Sequence, residues 1–126
     1  MFLSKQHHIA VICSDWAKAK EFYIDKLGFE LTSEIYRPEQ KDYLRMLRMG
    51  DTVLELFIKP DAPRRVTNPE AMGLRHLAFH VENVEPATAW LNSLGIATEP
   101  IREDKCNGGR YVFFKDPDGL PLELHE

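Results

Sequence analysis

Two halves of this chain repeat each other, and that repetition restricts the possible folds more than any other feature. HHIAVICSD (7–15) lies over RHLAFHVEN (75–83), DKLGF (25–29) over NSLGI (92–96), and TVLELF (52–57) over LPLELH (120–125). The offset is 68 residues at the first and last of these matches and 67 at the middle one. A tandem duplication of one supersecondary unit with an indel accounts for the pattern, because each copy must then use the same order of elements.

That order is read from hydrophobic periodicity. In the first half, residues 8–13 form a short apolar run of strand type, and Ser14 and Asp15 are N-cap candidates. Trp16, Ala19, Phe22, Tyr23 and Leu27 then recur at helical spacing, and Gly28 is placed to end the helix. Residues 29–36, 43–49 and 52–59 read as strands, the last two joined at Gly50-Asp51. Residues 60–73, with three prolines and several charges, form a connector. The second half restarts with a strand over 74–81, an N-cap at Asn83, and a helical stripe of Val84, Ala87, Trp90, Leu91 and Leu94 ended by Gly95. Strands over 96–101, 110–115 and 121–125 follow, separated by a loop over 102–109 and the turn Asp116-Pro117-Asp118-Gly119. The expected fold is therefore α+β: tandem βαβββ modules over about 5–59 and 74–126.

Composition narrows the function. With 126 residues, 44% of them apolar, the chain can bury a core without staples. It has no apolar run of membrane-spanning length and no signal-like first segment, so a cytoplasmic location without membrane contact is expected. A formal charge of -4 with no basic block argues against nucleic acid as a partner and in favour of a small molecule. Cys13 and Cys106 form no ligand cluster and read as reduced thiols.

Chemistry-bearing residues fall on the repeat in pairs: His8 with His76, and Glu55 with Glu123. With five His and twelve Glu in the chain, coincidence at both positions has odds of roughly 0.004. Alternation puts His8, Ala10 and Ile12 on one face of their strand, and His76, Ala78 and His80 on the equivalent face. Val53, Glu55, Phe57 and Lys59 share a face, as do Pro121, Glu123 and His125. A Glu between two leucines must reach solvent or a polar partner, because a buried unpaired carboxylate is very costly. Two imidazoles and two carboxylates neutralise a divalent cation and suit Ni²⁺, Zn²⁺, Co²⁺, Mn²⁺ or Fe²⁺ better than Ca²⁺. Lys59, Arg45 and Arg110 are candidates for a negative substrate. His80 and His125 could support the ligands, and His7 is excluded because it points to the other face.

The opening HHIAVICSDWAKAKEFYIDKLGF, the central GLRHLAFHV and the closing FFKDPDGLPLELHE resemble glyoxalase I and its relatives in the vicinal oxygen chelate superfamily (glyoxalase/bleomycin resistance/dioxygenase) over nearly the whole chain. The resemblance implies a single domain in which paired modules roll into an eight-stranded cup around one divalent transition metal held by His8, Glu55, His76 and Glu123. It implies a lyase or isomerase that forms an enediolate-type intermediate on a small oxygen-chelating substrate, with Glu123, or Glu55 in the mirrored part, moving the proton. A homodimer is implied too, with the modules paired either within a chain or across it. Where bacterial glyoxalase I carries an Arg and an Asn for glutathione, this chain has Ile12 and Lys59, so that specificity is not carried over. The competing reading is a non-catalytic, drug-sequestering protein of the bleomycin-resistance type. A fosfomycin-modifying transferase is disfavoured by the additional Glu55.

Overall fold

Strand pairing within each half follows from the short connections and alternating apolar residues of the sequence. The computed structural model describes residues 2–126, and the chain divides between Pro63 and Arg64 into two compact units. In the first, β1 (Ile9–Cys13) leads into a helix, α1 (Trp16–Ala19), continued by a π-helical segment (Lys20–Lys26), and then β2 (Glu30–Arg37), β3 (Asp42–Met49) and β4 (Thr52–Ile58). The second contains β5 (Leu77–His80), α2 (Val84–Ser93), β6 (Arg102–Glu103), β7 (Arg110–Lys115) and β8 (Pro121–His125). Each unit holds one four-stranded sheet, ordered β1-β4-β3-β2 and β5-β8-β7-β6. The fold is α+β.

In both sheets the first strand lies parallel to the last, while the remaining neighbours are antiparallel. Parallel neighbours require a crossover, and the helix with its two following strands supplies it. Asp15 caps α1 by accepting from the Lys18 amide at 2.9 Å, and Asn83 caps α2 by accepting from that of Glu85 at 3.2 Å. Gly28 and Gly95 leave their helices at φ +89° and +79°, a left-handed conformation that costs a residue without Cβ nothing.

The repeat's slip in offset has a structural counterpart here. From His8 to Gly28 the first unit uses one residue more than the second uses from His76 to Gly95. The π-helical segment absorbs it, since its turns are wider than those of an α-helix: Leu27 N–H donates to the Phe22 carbonyl, five residues back. The offset then returns to 68 by Glu55, so the duplication needs two compensating changes rather than the single one expected from sequence.

One face of each sheet is core. Leu47, Leu54 and Leu56 in the first unit and Val112, Leu122 and Leu124 in the second are buried, with Tyr23, Phe22 and Ala19 of the first helical region and Val84 and Leu91 of α2. Two strands differ from expectation. Residues 96–101 supply only a single bridge, Thr98 to Phe114, and the paired segment is Arg102–Glu103. Pro100 has no amide to donate to a ladder. The strand expected over 74–81 is confined to Leu77–His80, because the carbonyls of Leu74 and Arg75 accept from the Arg65 guanidinium instead.

This division of faces predicts two contrasting results. Leu122→Ala, which empties a fully buried position, should cost about 2–5 kcal/mol in urea unfolding. Ile12→Ala, on the opposite kind of surface, should stay within about 0.5 kcal/mol of the parent.

Candidate functional site

The faces turned away from the leucines carry the polar residues singled out in the repeat. Parallel pairing sets Ala10 level with Glu55 and Ala78 level with Glu123. His8 and His76 lie one residue before β1 and β5, two positions from those alanines, and therefore on the carboxylate's side. The result is a His–Glu pair in each unit. Nε2 of His8 is 3.7 Å from Oε2 of Glu55, and Nε2 of His76 is 2.8 Å from Oε2 of Glu123. The small alanine side chains leave the imidazoles room to reach across.

The pairs differ in setting. Glu123 is buried and its His76 partner half-buried, whereas His8 and Glu55 are more open. Phe113, level with Glu123 on the next strand, meets the His76 ring edge-on at 5.0 Å and leaves Nδ1 of His76 buried without a hydrogen-bond partner. In the first unit Met46 takes the place of Phe113 beside Glu55. His7, which alternation assigns to the other face, nevertheless touches this pair: its Nδ1 lies 2.8 Å from Nδ1 of His8.

Two donors bound to one transition-metal ion, each about 2.1 Å from it, are separated by about 3.0–3.4 Å. The observed separations of 3.7 and 2.8 Å bracket that range, and an imidazole nitrogen beside a carboxylate oxygen is a donor set such ions accept. Each pair fits half of a site. Among the described residues, no group of three or more His, Cys, Asp or Glu side chains is assembled to hold an ion. Each unit contributes one such pair.

The cations considered from sequence have other employment. Arg45 is buried on the leucine face, over the rings of Trp16 at 4.0 Å and Tyr43 at 4.6 Å, and donates to Glu34 at 2.7 Å. It is a buried cation already paired with a carboxylate. Arg110 is held by Glu126 and Glu85, which fastens the final residue to the start of α2. His125 shares the Glu123 face, stacks on Tyr111, and has both ring nitrogens occupied: Nε2 at 2.9 Å from Asp104 and Nδ1 at 2.5 Å from the Glu126 carbonyl. The Asp104 carboxylate chiefly holds the His125 pKa above its ordinary value. His80 is exposed and level with His125. Lys59 is half-exposed, 3.7 Å from Asp42.

Residues not anticipated from sequence are Arg37, Asp42, Asp104 and Tyr111. Arg37 and Asp42 pair directly across the β2–β3 hairpin, with Nε and Nη2 each 2.7 Å from a carboxylate oxygen. Opposite charges flanking the turn at 38–41 were the available signal. For Asp104 there was none, because its partner His125 is 21 residues away.

A family model described as the Glyoxalase/Bleomycin resistance protein/Dioxygenase superfamily matches residues 5–124. The chain belongs to that superfamily. It is 54% identical to the Bacillus subtilis (strain 168) protein YwkD, over 100% of this chain and 99% of the relative. It is 31% identical to a 2-epi-5-epi-valiolone epimerase of Actinomyces sp, over 94% of this chain and 76% of that one. Among solved structures, a glyoxalase family protein from Enterococcus faecalis superposes with a TM-score of 0.94 at 51% identity, with both chains covered completely. Among the described residues no helix is long and apolar enough to cross a membrane.

The Glu126 contacts give a pH prediction. Hydrogen bonds from Arg110 first, and from the Val84 amide next, lower the Glu126 pKa from 4.5 to about 2. A carboxylate depressed on folding contributes stability that is present above the unfolded value and lost as pH falls through the folded one. Glu126→Gln should therefore be less stable than the parent at pH 7, with the difference shrinking below pH 4.5 and vanishing near pH 2. Urea midpoints measured across that range check it.

Proposed function

We propose that this chain is a divalent-metal-dependent lyase or isomerase acting on a small substrate with two neighbouring oxygens. The observation that carries this reading is the presence, in each unit, of one His–Glu pair spaced as donors to a common cation. His8, Glu55, His76 and Glu123 would hold the ion in a single glyoxalase-like domain, its eight strands rolled into a cup within one chain or across a homodimer. The modules span about 5–59 and 74–126, with the connector between them. When bound, the ion supplies Lewis acidity that stabilises negative charge developing on substrate oxygen.

The remaining chemistry belongs to the chain. A carboxylate removes the proton from the carbon beside the carbonyl and returns it elsewhere or to the other face. Glu123 is favoured by resemblance, and Glu55 has the mirrored position and the more open surroundings. Exposed Ile12 and half-buried Phe57, level with each other, give the substrate an apolar floor. The name of the epimerase relative supports a proton-moving reaction.

A second reading is a non-catalytic binder of the bleomycin-resistance type. It is favoured by the exposed apolar surface next to Glu55.

The protein should take up about one divalent metal per His-Glu-His-Glu set, measured by plasma emission after dialysis against Ni²⁺ or Zn²⁺. His76→Ala or Glu123→Gln should abolish occupancy, and retention of metal by either variant counts against this ligand set. Affinity should fall as the histidines protonate below about pH 6. Turnover of the glutathione hemithioacetal of methylglyoxal should be weak, since Ile12 cannot replace an Arg–carboxylate bond worth about 1.5–3 kcal/mol. A kcat/KM in the ordinary range of about 10⁴–10⁸ M⁻¹s⁻¹ would identify a true glyoxalase I instead. Binding of substrate analogues with no metal uptake or turnover would favour the sequestering reading.

A further inference from the structure

The sheet face that bears Glu55 continues beyond it toward the turn that joins β2 to β3. Register fixes which residues share that surface. Ser33, Ile35 and Arg37 of β2 lie opposite Met46, Leu44 and Asp42 of β3, and Met46 lies opposite Glu55 of β4. Following β4 outward by twos gives Phe57 and then Lys59, whose amide still donates to the Cys13 carbonyl and so keeps the extended direction. On β1, Ala10 and Ile12 complete the face.

Its chemistry is graded. At one end stands the His8–Glu55 pair. In the middle, Ile12 and Ile35 are 54% and 55% exposed, beside half-buried Leu44 and Phe57. Large aliphatic side chains at that exposure leave apolar surface available to an apolar ligand segment. At the far end are two cations and one carboxylate. Asp42 accepts both of its short hydrogen bonds from Arg37, while the Lys59 ammonium is held more loosely at 3.7 Å and its side chain is half-exposed. The Arg37 guanidinium lies 5.1 Å, and the Lys59 ammonium 6.0 Å, from the centre of the Phe57 ring. Both cations thus lie within reach of one aromatic ring. The cluster carries one positive charge in excess of its carboxylate, and Glu55, the other acid on this face, is paired with His8.

We infer that Arg37 and Lys59 form an anion-recognition subsite, so that the substrate is an amphipathic acid: chelating oxygens toward His8 and Glu55, an apolar segment over Ile12, Ile35 and Phe57, and a carboxylate or phosphoryl group at Lys59. The chelating end rests on the metal-dependent reading above, whereas the anionic end does not. Four residues of extended strand separate Glu55 from Lys59, about 13 Å between backbones, and the Lys59 ammonium lies 6.0 Å from the centre of the Phe57 ring between them. A short organic acid spans that gap. Asp42 acts as an internal competitor, holding Arg37 in place until the ligand anion arrives.

The test uses the full chain kept metal-free with EDTA, so that its outcome is independent of the metal ligands. Amide resonances are followed by ¹H–¹⁵N spectroscopy during titration with phenylphosphonate, phenylacetate and, as the neutral control, benzyl alcohol. The expected result is saturable shifts at Arg37, Asp42, Phe57 and Lys59 with at least one of the anions, and binding of the alcohol about tenfold or more weaker. Whichever anion binds more tightly identifies the acidic group. Lys59→Met should weaken the anion about tenfold, whereas Lys115→Met, an exposed lysine of the second unit, should not change it. Asp42→Asn should tighten binding, an outcome that a purely structural Arg37–Asp42 pair does not produce. Equal affinity for the alcohol, shifts confined to other residues, unchanged affinity in Lys59→Met, or no saturable binding of either anion would overturn the inference. Anion binding at these residues by a protein that takes up no metal would leave the subsite standing and remove the proposed function.

Discussion

Parallel pairing of the first strand with the last is the constraint from which the rest of each unit follows. It cannot be made by a tight turn, so a helix and a two-stranded excursion must intervene before the chain returns beside its beginning. The return brings a histidine at the start of the unit next to a carboxylate near its end, across an alanine in each case. Residues 47 positions apart in the sequence become neighbours in both halves without a long loop. The apolar alternation of Leu54-Glu55-Leu56 and Leu122-Glu123-Leu124 then decides which side of the sheet that encounter occupies.

Much of this was legible in the sequence because it is written in period-two and period-3.6 patterns. The helices, their Asp15 and Asn83 caps and the strands that contain Glu55 and Glu123 all announce themselves within a few residues. The adjacency of His8 to Glu55 was legible only through the repeat and the family resemblance. What escaped was non-local or depended on competition for the same backbone group. Arg65 takes the carbonyls of Leu74 and Arg75 and shortens β5, an event that no pattern around residue 74 records. Arg45 reads as an ordinary strand charge, yet Trp16 and Tyr43 enclose it and Glu34 neutralises it. Arg110 likewise has its ligands in place, one of them 16 residues away.

The two halves have diverged in their immediate surroundings while keeping their shared pairs. In the second unit, Phe113 packs against His76, and His125 is fixed by Asp104, Tyr111 and the last carbonyl. Both ring nitrogens of His125 are thereby engaged, which favours a fixed geometry for that ring. In the first unit the equivalent of His125 is Phe57, and cations gather at its ring. One copy has therefore become the more rigid frame around its carboxylate, and the other has retained open apolar surface and unspent positive charge. A duplicated gene offers this freedom because each copy already folds by the same rules.

The separation of each sheet into a leucine face and a polar face also bears on how such a chain changes over generations. Substitutions at Ile12, Ile35 or Lys59 fall on side chains that the core does not count on, so they alter what the surface recognises while leaving the folding equilibrium nearly untouched. Substitutions at Leu54 or Leu122 do the reverse. Most mutations are deleterious because they erode a thin stability margin, and here that margin is kept on the other side of a single layer of backbone. New ligand preferences are reachable by single steps that remain folded, and one scaffold can be handed from one chemistry to the next without first being reinforced.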